Sequence, residues 1–305
     1  MSSTIEIKKT FEWRYERVKS IDLHPTEPWV LLGTHSGNVC IWNHRSRVTE
    51  KTFEIANSRV RSAKFIARKE WIVIGADDGF IRVYNYNTME NVIEFKAHSD
   101  FIRSLIVHPS QSYLLSASDD KDIKLWDWEN GWECKKTFQG HEHYIMQLAF
   151  NPRDANMFAS ASLDCTIKFW DLESSDPRSS VNGHTEGLNA VEFFENDGKL
   201  YILTGSDDHT AKVWDYESMT CVTTLEGHTH NVTSFQCVNL DTSFIITGSE
   251  DQTVRAWNTQ TYKLDQIYNS ELGRVWTIGF IKDSNEVILG CDEGILAGRI
   301  SSTDC

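Results

Sequence analysis

The chain has 305 residues, of which 40% are hydrophobic and 24% charged, and its formal net charge is −14. These proportions are ordinary for a globular protein, and the length allows a large buried core. Because binding to duplex nucleic acid depends on basic surface, the acidic balance argues against nucleic acid as a main partner. No stretch approaches the ~20 apolar residues that span a bilayer.

The N-terminus and the cysteines indicate the compartment. The first residues lack an apolar segment of signal-peptide length. The seven cysteines are odd in number, scattered, and without a C-x-x-C pair, which favours a reducing environment. The sequence therefore predicts a soluble, cytoplasmic protein.

Aromatic residues recur along the chain with a period of 42 to 44 residues. They are Trp42, Tyr84, Trp126, Trp170, Trp214 and Trp257. A histidine mark recurs with nearly the same period at His98, His141, His184 and His228. Gly-His and Trp-Asp marks at a period of about 40–45 residues are typical of propeller blades with four strands each.

Each repeat predicts four strands in a fixed order. A first strand with alternating polarity comes at Val18–Leu23, Ile102–Val107 and Ile145–Phe150, often followed by His-Pro or Asn-Pro. A second strand of small residues ends in an acidic turn, and a third strand ends at the periodic aromatic residue. The fourth strand leads into the next Gly-His.

The last repeat begins at Arg274 and lacks a fourth strand of its own. The sequence of Lys8–Phe11 repeats the fourth-strand sequence of Lys51–Phe53 and Lys135–Phe138, so the N-terminal segment is expected to complete the last blade. Closure in this way removes exposed sheet edges. The predicted fold class is therefore all-β: a seven-bladed WD-repeat β-propeller closed by the N-terminal strand, in a single domain over residues 1–305.

A repeated set of His, Ser or Thr, Asp and Trp imitates a catalytic triad. Four copies at the same spacing favour a buried hydrogen-bond network over catalysis. The copies are His98, Ser116, Asp120, Trp126; His141, Ser160, Asp164, Trp170; His184, Thr204, Asp208, Trp214; and His228, Thr247, Asp251, Trp257. No phosphate-binding loop and no metal-ligand spacing is found. The sequence predicts no enzymatic activity, no metal and no cofactor.

Function is expected where the repeats differ at exposed positions. The second residue of the first strand is basic in three consecutive blades, at Lys19, Arg61 and Arg103, with Arg17 close by in sequence. Since the first strand lines the channel of a propeller, these cations are expected to converge near its mouth. A functional anion site and a set of solvated or carboxylate-paired cations both remain open on this evidence.

An acidic residue precedes the structural Asp in most blades. The aligned positions are Asp77, Asp119, Leu163, Asp207, Glu250 and Asp292, with His35 in the first blade and Asp100 as a further carboxylate. Turn chemistry explains Asp at such places, but the neighbouring Asp already serves the turn, so these residues are expected to face solvent. Cations beside carboxylates would suit a peptide C-terminus with lysines a few residues back.

Several longer stretches carry a specific resemblance to a known family. They are Asp22–Trp29, Phe65–Lys69, Tyr84–Thr88 and Leu125–Asn130, together with Arg17–Lys19. Over essentially its whole length the chain resembles the N-terminal propeller of the β′ subunits of coatomer, the COPI vesicle coat. That family recognises C-terminal dilysine signals on cytosolic tails of membrane cargo, for retrieval from the Golgi to the endoplasmic reticulum.

The resemblance implies roles for particular residues. Arg17, Lys19 and Arg61 fall on the family's carboxylate-binding positions, and Asp100 and Asp119 fall on its lysine-binding positions. Possible secondary contacts are His35, Asp77, Arg103, Asp207 and Glu250. His35 departs from the Tyr usual in β′ and matches the related α subunit, which leaves the α propeller and the preferred lysine spacing open.

The resemblance also implies a setting. The family's subunits are longer, so this chain is expected to be the first part of a coat subunit. Its partners would be dilysine tails and other coatomer subunits, on the cytosolic face of Golgi membranes and COPI vesicles, with membrane association indirect through the coat. The alternative is a generic WD-repeat scaffold that binds some other protein.

Overall fold

Antiparallel strands make up nearly all of the computed structural model, which describes residues 3–55, 58–239 and 243–304. In this part of the chain, the helical segments are two single 3-10 turns, Ala67–Lys69 and Lys282–Ser284. Strand β1 spans Ser3–Arg14. The other strands follow in groups of four or, at the end, three.

The first four groups are the following strands. They are β2 (Val18–Leu23), β3 (Trp29–Thr34), β4 (Asn38–Asn43), β5 (Val48–Glu54); β6 (Val60–Ile66), β7 (Trp71–Ala76), β8 (Phe80–Asn85), β9 (Asn91–Lys96); β10 (Ile102–Val107), β11 (Tyr113–Ser118), β12 (Ile123–Asp127), β13 (Glu133–Phe138); β14 (Ile145–Phe150), β15 (Met157–Ser162), β16 (Thr166–Asp171) and β17 (Ser179–Asn182). The last three groups are β18 (Leu188–Asn196), β19 (Lys199–Ser206), β20 (Ala211–Asp215), β21 (Thr220–Leu225); β22 (Val232–Asn239), β23 (Ser243–Ser249), β24 (Thr253–Asn258), β25 (Leu264–Asn269); β26 (Val275–Ile281), β27 (Glu286–Cys291) and β28 (Gly294–Asp304).

Each of the first six groups is one four-stranded sheet whose strands pair in chain order, and the three strands of the last group form a seventh sheet with β1. The three first strands predicted from the sequence, β2, β10 and β14, are confirmed at both ends. Apolar and small residues make up most of the second strands, which are almost entirely buried. The described residues form seven blades, and the predicted fold class, a seven-bladed WD-repeat β-propeller, is confirmed.

The seventh blade shows why the N-terminal segment is part of the fold. Its sheet order is β1-β28-β27-β26, so β1 supplies the missing fourth strand. Pairing runs from Ser3 opposite Asp304 to Arg14 opposite Gly294, with a register shift between Lys9 and Phe11. The side chains of Ile5 and Ile7 are buried in the core of the last blades. The predicted strand at Lys8–Phe11 is confirmed, and it extends beyond the repeated sequence on both sides.

Chain contacts cluster in two compact units. The middle unit is Lys19–Glu192, and the terminal unit joins Met1–Val18 to Phe193–Cys305. The single domain over residues 1–305 stays a prediction, and Met1, Ser2 and Cys305 lie outside the described residues.

Within each unit, some consecutive blades pack through a glycine of the second strand, whereas the third and fourth blades have Ala117 and Ala161 at the aligned position. A Cβ added to Gly75 would lie 2.6 Å from Cγ2 of Ile102, which begins the next blade's first strand. A Cβ added to Gly248 would lie 2.7 Å from Cγ1 of Val275. Since real Cβ atoms do not approach so closely, only glycine lets these blades pack at this distance. The hydrophobic clusters accordingly span neighbouring blades.

Candidate functional site

The repeated His, Ser or Thr, Asp and Trp side chains form buried networks. In the third blade, His98 Nδ1 lies 2.9 Å from Asp120 Oδ2, and His98 Nε2 lies 2.7 Å from the hydroxyl of Ser116. The indole of Trp126 donates to the same hydroxyl at 2.8 Å. Asp120 also accepts the backbone N–H of Ser99. Burial by itself would raise the pKa of Asp120, but His98 and these N–H donors outweigh it and lower that pKa to about 2.

The same network recurs in other blades with the same geometry. His141 and His228 each contact their aspartate at 2.7 and 2.8 Å and their hydroxyl at 2.6 and 2.8 Å. In the fifth blade the indole of Trp214 donates to Thr204 at 2.9 Å. The histidine rings are buried, so their side chains are not presented to a substrate. The predicted buried hydrogen-bond network is confirmed in the third, fourth and sixth blades.

The three basic residues of the first strands lie at equivalent places in the middle unit. They are Lys19, Arg61 and Arg103, each the second residue of its strand. Neighbouring strands are tied at a constant offset: the N–H of Ala63 donates to Ser20 Oγ at 2.9 Å, and that of Leu105 to Ser62 Oγ at 3.0 Å. The constant offset places Lys19, Arg61 and Arg103 at the same end of three adjacent strands, and convergence of their side chains stays a prediction.

Two of the predicted acidic residues are paired with these cations. Arg61 bonds both carboxylate oxygens of Asp77, with Nη2 to Oδ2 at 2.9 Å. Arg103 bonds both oxygens of Asp119, each at 2.6 Å. The side chain of Asp77 is 10% exposed and that of Asp119 only 3%. The expectation that the residue before the structural Asp faces solvent is therefore wrong for these two blades.

A repeated backbone bond explains the pairing. The N–H of Asp77 donates to the carbonyl of Arg59, and the N–H of Asp119 donates to that of Phe101, both at 3.0 Å. Each bond brings the acidic residue beside the start of its own first strand. A basic residue two positions later can then reach the carboxylate with a two-pronged guanidinium.

An aromatic ring between the two arginines was missed by the sequence reasoning. The guanidinium carbon of Arg61 lies 5.2 Å from the ring centroid of Phe101, and that of Arg103 lies 5.7 Å from it. Arg103 also lies 5.8 Å from the ring of Tyr144. The signal was present, since Phe101 and Tyr144 occupy the first position of the aligned triplets of the third and fourth blades, and the triplet of Phe101 ends in Arg103. Such contacts hold a cation without neutralising it.

The other predicted residues are more dispersed. Asp100 is half-buried in the loop before β10, and its Oδ1 accepts the N–H of Phe101 at 2.8 Å. His35 is half-buried in the turn after β3, where the second and third blades have Asp77 and Asp119. Asp207 lies in the turn after β19, in the terminal unit.

A second charged cluster lies in the terminal unit. Arg274 Nε donates to Asp292 Oδ2 at 2.9 Å, and Arg274 Nη1 reaches Glu250 Oε2 at 3.3 Å. Arg17 Nε lies 2.8 Å from Asp292 Oδ1. The indole of Trp276 donates to Asp292 Oδ1 at 2.8 Å. Of the predicted residues, Arg17 and Glu250 are therefore held in one network around Asp292.

The chemistry open to these clusters is the binding of charged groups. Partly exposed guanidinium and ammonium groups can bind a carboxylate, and the carboxylates beside them can bind an ammonium group. Within the described residues, no three His, Cys, Asp or Glu side chains come close enough to hold a metal ion. No helix of that part of the chain is long and apolar enough to cross a membrane.

Comparison with known proteins finds six repeat segments in this chain of seven blades. Six segments match the family model described as WD domain, G-beta repeat, over residues 6–43, 48–85, 89–127, 132–171, 175–215 and 219–258. Each segment joins the last strand of one blade to the first three strands of the next. This offset of one strand explains why the first segment begins inside β1, whose sheet is the seventh blade.

Individual relatives match nearly the whole chain. It is 57% identical over 300 residues to coatomer subunit beta'-2 of Oryza sativa subsp. japonica, covering 98% of this chain and 33% of that protein. It is 56% identical over 300 residues to coatomer subunit beta'-1 of Arabidopsis thaliana (98% and 32%), and 52% identical over 302 residues to coatomer subunit beta' of Mus musculus (98% and 33%).

The chain thus spans about a third of the length of these relatives. The resemblance to β′ subunits expected from the sequence is confirmed. Four-stranded blades, repeated His-Asp networks and six matching segments together place this chain in the family of WD-domain, G-beta-repeat proteins.

Proposed function

We propose that this chain is a propeller of a COPI coat subunit of the β′ type and that it binds C-terminal dilysine tails of membrane cargo. It acts without catalysis, as a sorting module for transport from the Golgi to the endoplasmic reticulum. The observation that carries the proposal is the row of three cations on adjacent first strands, with Asp100 and Asp119 beside the last of them.

The carboxylate of the tail would be bound by Lys19 and Arg61, and on sequence grounds by Arg17, two residues before Lys19. At the aligned positions of the first three blades, cations outnumber carboxylates: the first blade has Lys19 with His35, where the next two have an arginine with an aspartate. Excess positive charge at one end of three neighbouring strands supports capture of an anion.

The lysines of the tail would be bound by Asp100 and Asp119. Asp100 is the more accessible of the two. Both oxygens of Asp119 already accept from Arg103, but a carboxylate oxygen has two lone pairs and can accept a second donor. A ligand ammonium at Asp119 would therefore share the carboxylate with Arg103 and would not displace it.

The proposed setting follows from the relatives. Proteins named coatomer subunit beta′ match 98% of the chain, which supports assembly with other coatomer subunits on the cytosolic face of Golgi membranes and COPI vesicles. Membrane association would be indirect, through the coat. A net charge of −14 supports basic peptides over nucleic acid as partners.

Titration calorimetry with a short peptide tests the proposal. The peptide carries two lysines near a free C-terminal carboxylate, and the matched peptide is amidated at its C-terminus. We expect binding of the first and at least tenfold weaker binding of the second, ~1.4 kcal/mol, because the amide cannot accept the charge-assisted bonds. Equal affinities would exclude carboxylate capture and favour the generic WD-repeat scaffold. Peptides with different lysine spacing separate β′-type from α-type preference.

A further inference from the structure

Asp292 makes four contacts in the turn between β27 and β28 of the seventh blade. It follows β27 directly, and its Oδ2 accepts the side-chain Nε of Arg274 at 2.9 Å and the backbone N–H of Arg274 at 3.2 Å. Its Oδ1 accepts the indole N–H of Trp276 at 2.8 Å and lies 2.8 Å from Arg17 Nε. Burial alone would raise the pKa of Asp292, but these donors outweigh it and lower that pKa. The carboxylate is therefore ionised and fixed at neutral pH.

The two arginines at this carboxylate are held differently. Arg274 is shared between Asp292 and Glu250, and Glu250 in turn accepts from Asn231 at 3.3 Å. Arg17 turns its Nε edge to Asp292, at an ion-pair distance but without the alignment of a hydrogen bond. Its guanidinium lies 5.7 Å from the ring of Trp276, and its side chain remains 31% exposed. Arg274 is tied into the fold, whereas Arg17 is oriented and still accessible.

We infer that Asp292 is a positioning residue that orients the Arg17 guanidinium for a ligand carboxylate. An arginine binds carboxylates through its Nε edge or through its Nη end. With the Nε edge turned to Asp292 and one face on Trp276, the Nη end is the part left to accept a second anion. This inference rests on the proposed function, because it concerns how Arg17 recognises the terminal carboxylate of the tail.

Charge and ordering predict opposite effects of removing Asp292. Loss of a negative charge near the site would strengthen binding of an anionic terminus. Loss of the contact would instead release a long side chain whose freedom must be lost again on binding. Because Arg17 is partly exposed, salt and water screen the repulsion between the two carboxylates on either side of its guanidinium. Ordering therefore dominates, and Asp292 strengthens carboxylate recognition.

The test measures discrimination between the free and the amidated dilysine peptide by calorimetry. Asp292→Asn keeps the shape and one acceptor oxygen, and we expect the affinity ratio of the two peptides to fall three- to tenfold. The affinity of the amidated peptide should change little. Asp215→Asn is the matched control: this carboxylate accepts N–H groups of Glu217 and Ser218 in another turn of the terminal unit. Its ratio should equal that of the unaltered protein.

A double-variant cycle separates positioning from a structural effect. In an Arg17→Gln background, Asp292→Asn should change the ratio no further. Arg17→Lys keeps the charge and loses the planar Nε edge without touching the blade core, so it should lose discrimination as well. Arg17→Lys tests the inference if the Asp292→Asn variant does not fold.

Three results would overturn the inference: tighter binding of the free peptide by Asp292→Asn, an effect that persists without Arg17, or full discrimination by Arg17→Lys. Equal binding of both peptides by the unaltered protein would remove the proposed function itself, which is a different result from any of these.

Discussion

Asp119 and Asp120 are adjacent in the sequence, but their side chains belong to different networks of contacts. Asp120 bonds His98 and the backbone of Ser99 in a network that other blades repeat. Asp119 bonds Arg103, in a cluster of charges that the fourth blade lacks, since its aligned residues are Met146 and Leu163. In repeats, the residues that all copies share support the fold, and those that differ are the ones available for recognition. The following predictions test that division.

The largest effect is expected from removing a shared element. Deleting residues 1–12 removes most of β1, and with it the backbone pairing to β28 and the buried side chains of Ile5 and Ile7. We expect a loss on the order of 5 kcal/mol or more, which is the whole stability of many domains. Thermal unfolding followed by circular dichroism measures it. Lys8→Ser, at a side chain that is 69% exposed, is the control and should leave the melting temperature unchanged.

Within a shared network, Ser160→Ala should cost about 2–5 kcal/mol. The hydroxyl of Ser160 bonds both His141 and Trp170, so its loss leaves two buried groups without a partner, each costing roughly 1–3 kcal/mol. Denaturant unfolding measures the change. Ser180→Ala, on an exposed strand, is the matched control. A fall in stability below about 0.5 kcal/mol in Ser160→Ala would contradict the structural role assigned to the networks.

The sequence predicted the shared part of the molecule well and the variable part only in outline. Period, strand order and the closing strand all follow from repeated text, because every copy must form the same hydrogen bonds. Pairing of the cations with carboxylates was left open, but the partners, Asp77 for Arg61 and Asp119 for Arg103, were not predicted. Its signal is a separation of 16 residues between the basic and the acidic residue in both blades, with apolar residues at the aligned positions of the fourth blade. That separation becomes a contact only through the backbone bond that folds the turn back on the first strand.

Glu192 is an unshared charged residue that could break the division, because its side chain is half-buried. It lies in β18, and burial, only partly offset by Lys64, raises its pKa to about 7. Between about pH 4.5 and pH 7 the folded protein holds a proton that the unfolded chain has lost, so stability falls as pH rises through this range. Glu192→Gln should therefore stabilise the protein by about 1–3 kcal/mol at pH 8 and hardly at all at pH 4.5.

Unfolding by denaturant at the two pH values measures that difference. A stabilisation of the same size at both would mean that ionisation of Glu192 is not its cause. A loss of peptide affinity in Glu192→Gln would instead place this residue with the binding cluster. Residues that differ between the repeats could then serve binding without being fully exposed.

The smallest effect on stability is expected where the effect on binding is large. Arg61→Ala alone is a poor test, since it leaves the carboxylate of Asp77, 10% exposed, without its main partner. The double variant Arg61→Gln with Asp77→Asn removes both charges and leaves two polar side chains that can still hydrogen-bond. We expect it to change the free energy of unfolding by less than ~1 kcal/mol, because exchanging a whole pair avoids the unpaired charge. Its affinity for the dilysine peptide should fall at least tenfold, ~1.4 kcal/mol. Calorimetry and denaturant unfolding on the same preparation measure the two effects. If affinity is retained while stability falls, Arg61 and Asp77 support the fold, as Asp120 does, and do not take part in recognition.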